Sequence, residues 1–231
     1  MKSVILAGGK GKRLRPLTDD KPKPMVEILG SPIIEWQILW LKSYGIRDII
    51  LCTGYRQESI MDYIGDGSKF GVHIDYSIEQ EPLGTAGALR NAQKSLQDEK
   101  IFLALNGDII TDIIPDELIN QTITPIITTM AVVPLQSPFG IVEIDNSNLI
   151  KKFSEKPILR DHWINAGIYC ISSKIFNFLP EFGSLESDVF PNLALNNQLF
   201  SIKYSDNKWR SIDNHKDIDE ANQEFKKPGC K

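Results

Sequence analysis

An α/β fold is predicted by three observations. Short β-rich runs alternate with helical patterns over residues 2–105, a glycine-rich turn follows the first run, and β-branched alternation takes over after residue 124. Strand–helix–strand repetition needs crossovers that lay helices on both faces of a largely parallel sheet. The expected architecture is therefore a Rossmann-like, three-layer α/β/α domain with a mixed, mainly parallel central sheet. With 231 residues the chain can close around a core of its own. Residues 1–231 read as a single domain with halves 1–112 and 113–225 and a frayed tail, 226–231.

The apolar run Lys2–Ala7 reads as the first strand. A helix near Ile33–Tyr44 follows, with Trp36 and Trp40 four residues apart, a spacing that suits core or interface. Next come a strand at Asp48–Thr53, a helix near Glu58–Ile64, a strand around Val72–Ile78, a helix near Thr85–Ser95 and a strand at Ile101–Leu105. In the second half, Thr124–Val133, Gly140–Ile144, Leu149–Phe153 and Ile164–Ile171 predict antiparallel or mixed strands that extend the sheet and build a lobe over the ligand. A helix from His215 to Phe225 closes the fold. Ligands of such sheets gather beyond the carboxyl ends of the strands. The glycine turn follows the first strand and Asp108 the fourth, so both are expected at one edge.

The formal charge of −4 argues against nucleic acid as a partner, because phosphate-tracking proteins usually carry a net basic face, whereas here the dense cation cluster is local to residues 10–23. Cys52, Cys170 and Cys230 are an odd number without CxxC spacing, which suggests neither a disulfide framework nor a zinc site. Cys52 and Cys170 lie in apolar runs and are expected to be buried. No leader pattern and no apolar run near 18 residues is present, so no membrane partner is expected and a cytoplasmic location is. His73, His162 and His215 lack metal-ligand spacing and read as surface or capping residues.

The chemistry concentrates in Leu6-Ala7-Gly8-Gly9-Lys10-Gly11-Lys12-Arg13-Leu14-Arg15-Pro16-Leu17-Thr18 and the Lys21-Pro22-Lys23-Pro24-Met25 that follows. Glycines free the backbone so that successive N–H groups can turn toward phosphate oxygens. Lys10, Lys12, Arg13, Arg15, Lys21 and Lys23 add fixed positive charge for a polyphosphate. Leu14 stands where a dinucleotide fingerprint needs its third glycine, and no Gly-Lys-Ser/Thr follows as in a P-loop. A nucleoside triphosphate is the expected ligand. Asp108, after Asn106-Gly107 at the end of an apolar strand, suits a carboxylate that holds Mg²⁺ against phosphate oxygens.

With these residues in view, the chain resembles the sugar-1-phosphate nucleotidyltransferases, whose signature runs roughly GGxGTRLxPLT followed by PKP. Lys12 stands where threonine is usual. Glu79-Gln-Glu-Pro-Leu-Gly-Thr-Ala-Gly-Ala-Leu89, Leu105-Asn-Gly-Asp108, Phe153-Ser-Glu-Lys-Pro157 and Asn165-Ala-Gly-Ile-Tyr169 resemble further motifs in family order, so nearly the whole chain is covered.

The resemblance implies condensation of a nucleoside triphosphate with a sugar-1-phosphate, giving a nucleotide-diphosphate sugar and pyrophosphate. It assigns Arg13 to the β and γ phosphates, Lys23 to the α phosphate and incoming phosphate, and Asp108 to the metal, as catalytic residues. Leu6, Ala7, Gly8, Gly9, Gly11, Lys12, Arg13, Glu79, Gly84 and Thr85 fall on nucleotide-binding positions in the first half. Asn106, Glu155, Lys156, Asn165 and Gly167 fall on sugar-phosphate positions, and Asp108 with Asp213 on Mg²⁺ positions. Asp213 lies four residues after Trp209, where many members leave only two, and its other reading is a cap for the last helix. Glu79 accepts hydrogen bonds only, which suits the paired donors of guanine and also the amino group of cytosine. The leading expectation is GTP with mannose-1-phosphate or manno-heptose-1-phosphate. Thymidylyl, uridylyl or cytidylyl transfer to glucose-1-phosphate, and a catalytically silent nucleotide-sugar-binding subunit, are the alternatives. A homodimer stays open.

Overall fold

Strands that alternate two apolar sets bury both faces of the central sheet. The computed structural model describes residues 1–226; residues 227–231 of the expected tail, Cys230 among them, lie outside the described residues. β1 (Ser3–Leu6), β2 (Asp48–Thr53), β3 (His73–Ile78), β4 (Ile101–Asn106), β5 (Thr128–Gln136), β6 (Ile158–Ser172) and β7 (Leu199–Lys203) form one seven-stranded sheet in the order β7-β5-β6-β4-β1-β2-β3. β6 runs antiparallel to both neighbours, and the other pairings are parallel.

The helices are α1 (Ile33–Ser43), α2 (Gln57–Ile64), α3 (Gly84–Asn91), α4 (Asp116–Gln121), α5 (Phe190–Leu195) and α6 (His215–Glu224). Ile5, Ile49, Leu51, Leu103 and Leu105 pack with α1, α2 and α4 in one core. Their neighbours Val4, Ile50, Cys52, Phe102 and Ala104 pack with α3 and α5 in another. That two-residue alternation is the pleat of the strand expressed as burial, and it makes the fold a three-layer α/β/α sandwich with a mixed, mainly parallel sheet.

Elements of the first half follow the sequence pattern closely. α1 starts directly after Pro32 and ends before Tyr44-Gly45, and the second strand covers residues 48–53 as its apolar run implies. α3 tightens into a 3₁₀ turn over Ala92–Leu96 instead of staying α-helical to Ser95.

The second half departs further: β5 begins at Thr128 and not at Thr124, α4 and α5 have no counterpart among the expected elements, and two strand pairings differ. Ile141–Ile144 and Ile150–Ser154 do not extend the sheet; they pair with each other in a separate hairpin. Gln136 pairs with Ile158, so the hairpin projects from the far end of the β5–β6 pair. One of its faces gathers Val142 with Phe153 and Ile144 with Ile150, and the other carries Lys152 joined to Glu143 at 3.0 Å. The ribbon pairs its backbone without a third strand, and its apolar face stays exposed. The edge strand β7 was not anticipated, because Leu199-Phe-Ser-Ile-Lys203 is largely exposed and shows no apolar run.

A third core sits under the glycine turn. Leu14, Val26, Ile28, Ile33, Trp36, Ile110, Ile212, Ala221 and Phe225 are buried together and bring the amino-terminal loops against the carboxyl-terminal helix. A short strand, Trp209–Ser211, pairs antiparallel with Ile109–Thr111 and leads into α6. The Asn214 side chain accepts from the Asp217 backbone N–H at 3.2 Å, and the Asp217 carboxylate accepts from the Asn214 N–H at 2.9 Å. This reciprocal box satisfies two backbone donors that the helix start would leave open. Replacing Asn214 by Ala is expected to cost about 1 kcal/mol of folding free energy, measured as a lower urea midpoint with an unchanged slope.

Candidate active site

Parallel register sets the site. Leu6 of β1 lies opposite Asn106 of β4, so the glycine turn and Asn106-Gly107-Asp108 leave the sheet side by side. The Gly107 N–H donates to the Leu6 carbonyl at 3.0 Å, and a Cβ at residue 107 would stand 2.6 Å from that oxygen. No side chain fits there. β3 ends at the same edge, where the Glu79 N–H donates to the Thr53 carbonyl at 2.7 Å. The loops after β1, β3 and β4 open onto a cleft of about 490 Å³, lined among others by Gly8, Gly9, Glu79, Gly84, Thr85 and Asp108.

Glu79 is held by its Oε2, which accepts from the Leu83 N–H at 3.0 Å. A Cβ at Gly8 would lie 2.6 Å from the other oxygen, so glycine at that position keeps Oε1 accessible. Burial raises the Glu79 carboxyl above its ordinary range, and the Leu83 N–H pulls it only partly back. Thr85, at the start of α3, donates from Oγ1 to Glu186 Oε2 at 2.7 Å.

At the mouth of the cleft four charged groups converge. Pro22 caps and Pro24 lies within a 3₁₀ turn at Lys23–Met25, where Lys23 is buried at 9% exposure. Its Nζ donates to Asp108 Oδ2 at 2.6 Å and to Asp213 Oδ1 at 2.7 Å. Arg13 Nη2 donates to the same Asp213 oxygen at 2.7 Å, and Ser211 Oγ donates to Oδ2 at 3.0 Å. Asp213 reaches this point because the Ile212 N–H donates to the Asp108 carbonyl at 2.8 Å, just beyond the paired short strands. Burial alone would raise the Asp213 carboxyl, but the hydrogen bond and charge of Lys23, with Ser211 and Arg13, outweigh it and hold Asp213 below the usual carboxylate range. Asn214 performs the helix capping, so the Asp213 carboxylate is turned to the cations instead.

Asp108 and Asp213 are hard oxygen donors that reach one point, and with phosphate oxygens and water they fit a divalent cation such as Mg²⁺. Among the described residues no cluster of three or more His, Cys, Asp or Glu stands ready to hold a metal without such help.

On the other side of the cleft, Asn165 accepts from the Gly167 N–H at 2.8 Å and donates to the buried Tyr169 hydroxyl at 2.7 Å. Gly167 packs against the side chain of Asn106, whose Oδ1 is buried without a partner. Glu155 and Lys156 stand apart from the cleft. Both are exposed where the hairpin rejoins β6, and they pair with each other at 3.7 Å. Two residues of the site were missed from sequence. Ser211 stands two residues after Trp209, the place from which Asp213 is displaced, and Glu186, 101 residues from Thr85, leaves no sequence signal.

The profile of the nucleotidyl transferase family matches residues 2–227. The chain belongs to that family. Nucleotidyl transferases similar to it include the mannose-1-phosphate guanyltransferases of Gibberella zeae, 36% identical over 229 residues, and of Yarrowia lipolytica, 37% identical over 228 residues. Each alignment covers 94% of this chain, and the chain spans 62% of the length of each of these relatives. Among solved structures, HddC from Yersinia pseudotuberculosis has a TM-score of 0.77 at 28% identity, covering 97% of this chain and 99% of its own. The same protein complexed with GMP-PN gives 0.75 at 29%, with the same coverage. A putative glucose-1-phosphate thymidylyltransferase from Bacillus anthracis, in complex with a sucrose, gives 0.77 at 26%, covering 99% and 98%.

The lowered Asp213 value has a defined sign. Its stabilising contribution is present above the ordinary aspartate range and is lost as pH falls through the lower, folded-state value. Acid unfolding followed by circular dichroism is therefore expected to be less steep in Asp213→Asn than in the unaltered chain; equal steepness would separate Asp213 from the cation centre.

Proposed function

We propose that this nucleotidyl transferase condenses GTP with mannose-1-phosphate, or with a manno-heptose-1-phosphate, to give a nucleotide-diphosphate sugar and pyrophosphate. The observation that carries the reading is the meeting of Lys23, Arg13, Asp108 and Asp213 at the mouth of a glycine-floored cleft. An in-line attack of a sugar-phosphate oxygen on the α-phosphorus needs no covalent intermediate, only alignment and neutralised charge. With one ammonium Lys23 would hold the α phosphate and the incoming phosphate together. Arg13, exposed beside it, would take the departing β and γ phosphates. The N–H groups around Gly8, Gly9 and Gly11, with Lys12 at the rim, would cradle the triphosphate against Leu6 and Ala7. Mg²⁺ held by Asp108 and Asp213 would supply further charge neutralisation at the phosphate oxygens when bound.

Glu79 supports guanine. Its carboxylate faces the cleft beside Gly8 with Gly84 and Thr85 across from it, and guanine offers two adjacent donors where uracil and thymine offer one between acceptors. The names of the relatives from Gibberella and Yarrowia point to the same base and to mannose-1-phosphate. Asn106, Asn165 and Gly167 form the wall suited to sugar hydroxyls. Glu155 and Lys156 would act on the sugar and its phosphate, as the family resemblance implies, from their exposed place where the hairpin rejoins β6. The free, buried thiols of Cys52 and Cys170 agree with a reducing cytoplasm, and among the described residues no helix is long and apolar enough to cross a membrane.

Pyrophosphate release, measured with each nucleoside triphosphate against a panel of sugar-1-phosphates, tests the reading. GTP with mannose-1-phosphate or its heptose analogue is expected to give the highest kcat/KM. Nucleotide-sugar binding without turnover for any pair would select the silent subunit. Lys23→Ala is expected to lose about a hundredfold or more in turnover while keeping its fold. Glu79→Gln is expected to lower kcat/KM for GTP and raise it for UTP or dTTP, and an unaltered base preference would remove Glu79 from recognition.

A further inference from the structure

The ammonium of Lys23 stands between Asp108 Oδ2 and Asp213 Oδ1, the two oxygens that a divalent cation bridging these carboxylates would use. Nζ is 2.6 Å from one carboxylate and 2.7 Å from the other, and the Lys23 side chain is only 11% exposed, so water screens these contacts little. Arg13 engages the same Asp213 oxygen from the solvent side. A divalent ion cannot enter between these oxygens while an ammonium occupies them, because the inward oxygens are already engaged and the two cations would repel at contact distance.

The arrangement is also self-consistent without any bound ion. Two carboxylates brought together beside a buried surface repel each other and lose hydration, and Lys23 and Arg13 offset both costs. A strong competing anion changes the balance. Polyphosphate offers Lys23 and Arg13 several charged oxygens at once, and each contact it draws from them frees a carboxylate oxygen for metal.

We infer that Lys23 is an internal competitor that keeps divalent metal out of the Asp108–Asp213 site until a nucleotide polyphosphate withdraws it. The inference rests on the reading of those two carboxylates as the metal ligands. Metal and nucleotide then bind as a coupled pair, and by linkage the factor by which nucleotide raises metal affinity equals the factor by which metal raises nucleotide affinity. Lys23 thus acts twice, as a lock on the free site and as a phosphate ligand in the loaded one.

Mn²⁺ titration of the nucleotide-free, full-length chain, followed by electron paramagnetic resonance, reads the lock without any assay of turnover. Lys23→Gln removes the charge, Lys23→Arg keeps it, and Lys23→Gln combined with Asp108→Asn removes the released ligand. The expected result is a Mn²⁺ affinity about tenfold or more tighter in Lys23→Gln than in the unaltered chain, no gain in Lys23→Arg, and loss of the gain in the double variant. Lys23→Met replaces Lys23→Gln if the latter fails a thermal-melt check of folding. Equal Asp108-dependent affinity in Lys23→Gln and the unaltered chain would overturn the lock and leave the metal reading intact. No Asp108-dependent Mn²⁺ uptake in any of these chains would overturn both.

Discussion

Everything at the mouth of the cleft depends on one ammonium shared by two carboxylates. Lys23 comes from the amino-terminal loops, Asp108 from the end of β4 and Asp213 from the approach to α6, so three remote segments are fixed to one point. A charge this close to the interior is tolerated only when it is paired, and each member of the trio is the condition for burying the others. The same constraint explains why Arg13 and Ser211 crowd the remaining oxygens of Asp213. An unpaired carboxylate there would be hydrated or protonated, and the geometry would loosen.

Apolar packing makes that electrostatic point rigid. The third core runs from Leu14 below the glycine turn through Val26 and Ile28 beside the Lys23 turn to Ile212 and Ala221 beside Asp213. Each charged residue of the centre is within a few positions of a buried apolar residue in that cluster, so phosphate-binding groups are carried on packed backbone. The two larger cores hold the sheet, and the sheet holds the loops that follow β1, β3 and β4 in register. Polar chemistry is thereby confined to one edge. The hairpin at residues 141–154 lies outside all three cores, and Glu155 and Lys156 are exposed where it rejoins β6.

Much of the first half was legible from residues alone. Lys2–Ala7, Asp48–Thr53 and Ile101–Leu105 are continuous apolar runs whose burial on both faces leaves little choice but parallel strands, and the helices between them show helical periodicity. The glycine turn and Asp108 were legible for the same reason: each directly follows a readable strand. The hairpin departs from the expected sheet because the strand pattern in Ile141–Ile144 and Ile150–Ser154 does not say which partner each strand takes, and here they pair with each other. β7 and Glu186 were not legible at all, since an exposed edge strand and a contact 101 residues distant leave no local pattern.

The sequence by itself determined the alternation that buries both sheet faces, the glycine-rich turn behind β1, and the cations crowded beside it, because these depend on neighbours a few residues apart. Only the tertiary structure decided whether Asp213 caps a helix or meets Lys23. That outcome turns on the pairing of Trp209–Ser211 with Ile109–Thr111 and on the hydrogen bond from Ile212 to Asp108, and such long-range register is set by packing that no local run of residues encodes.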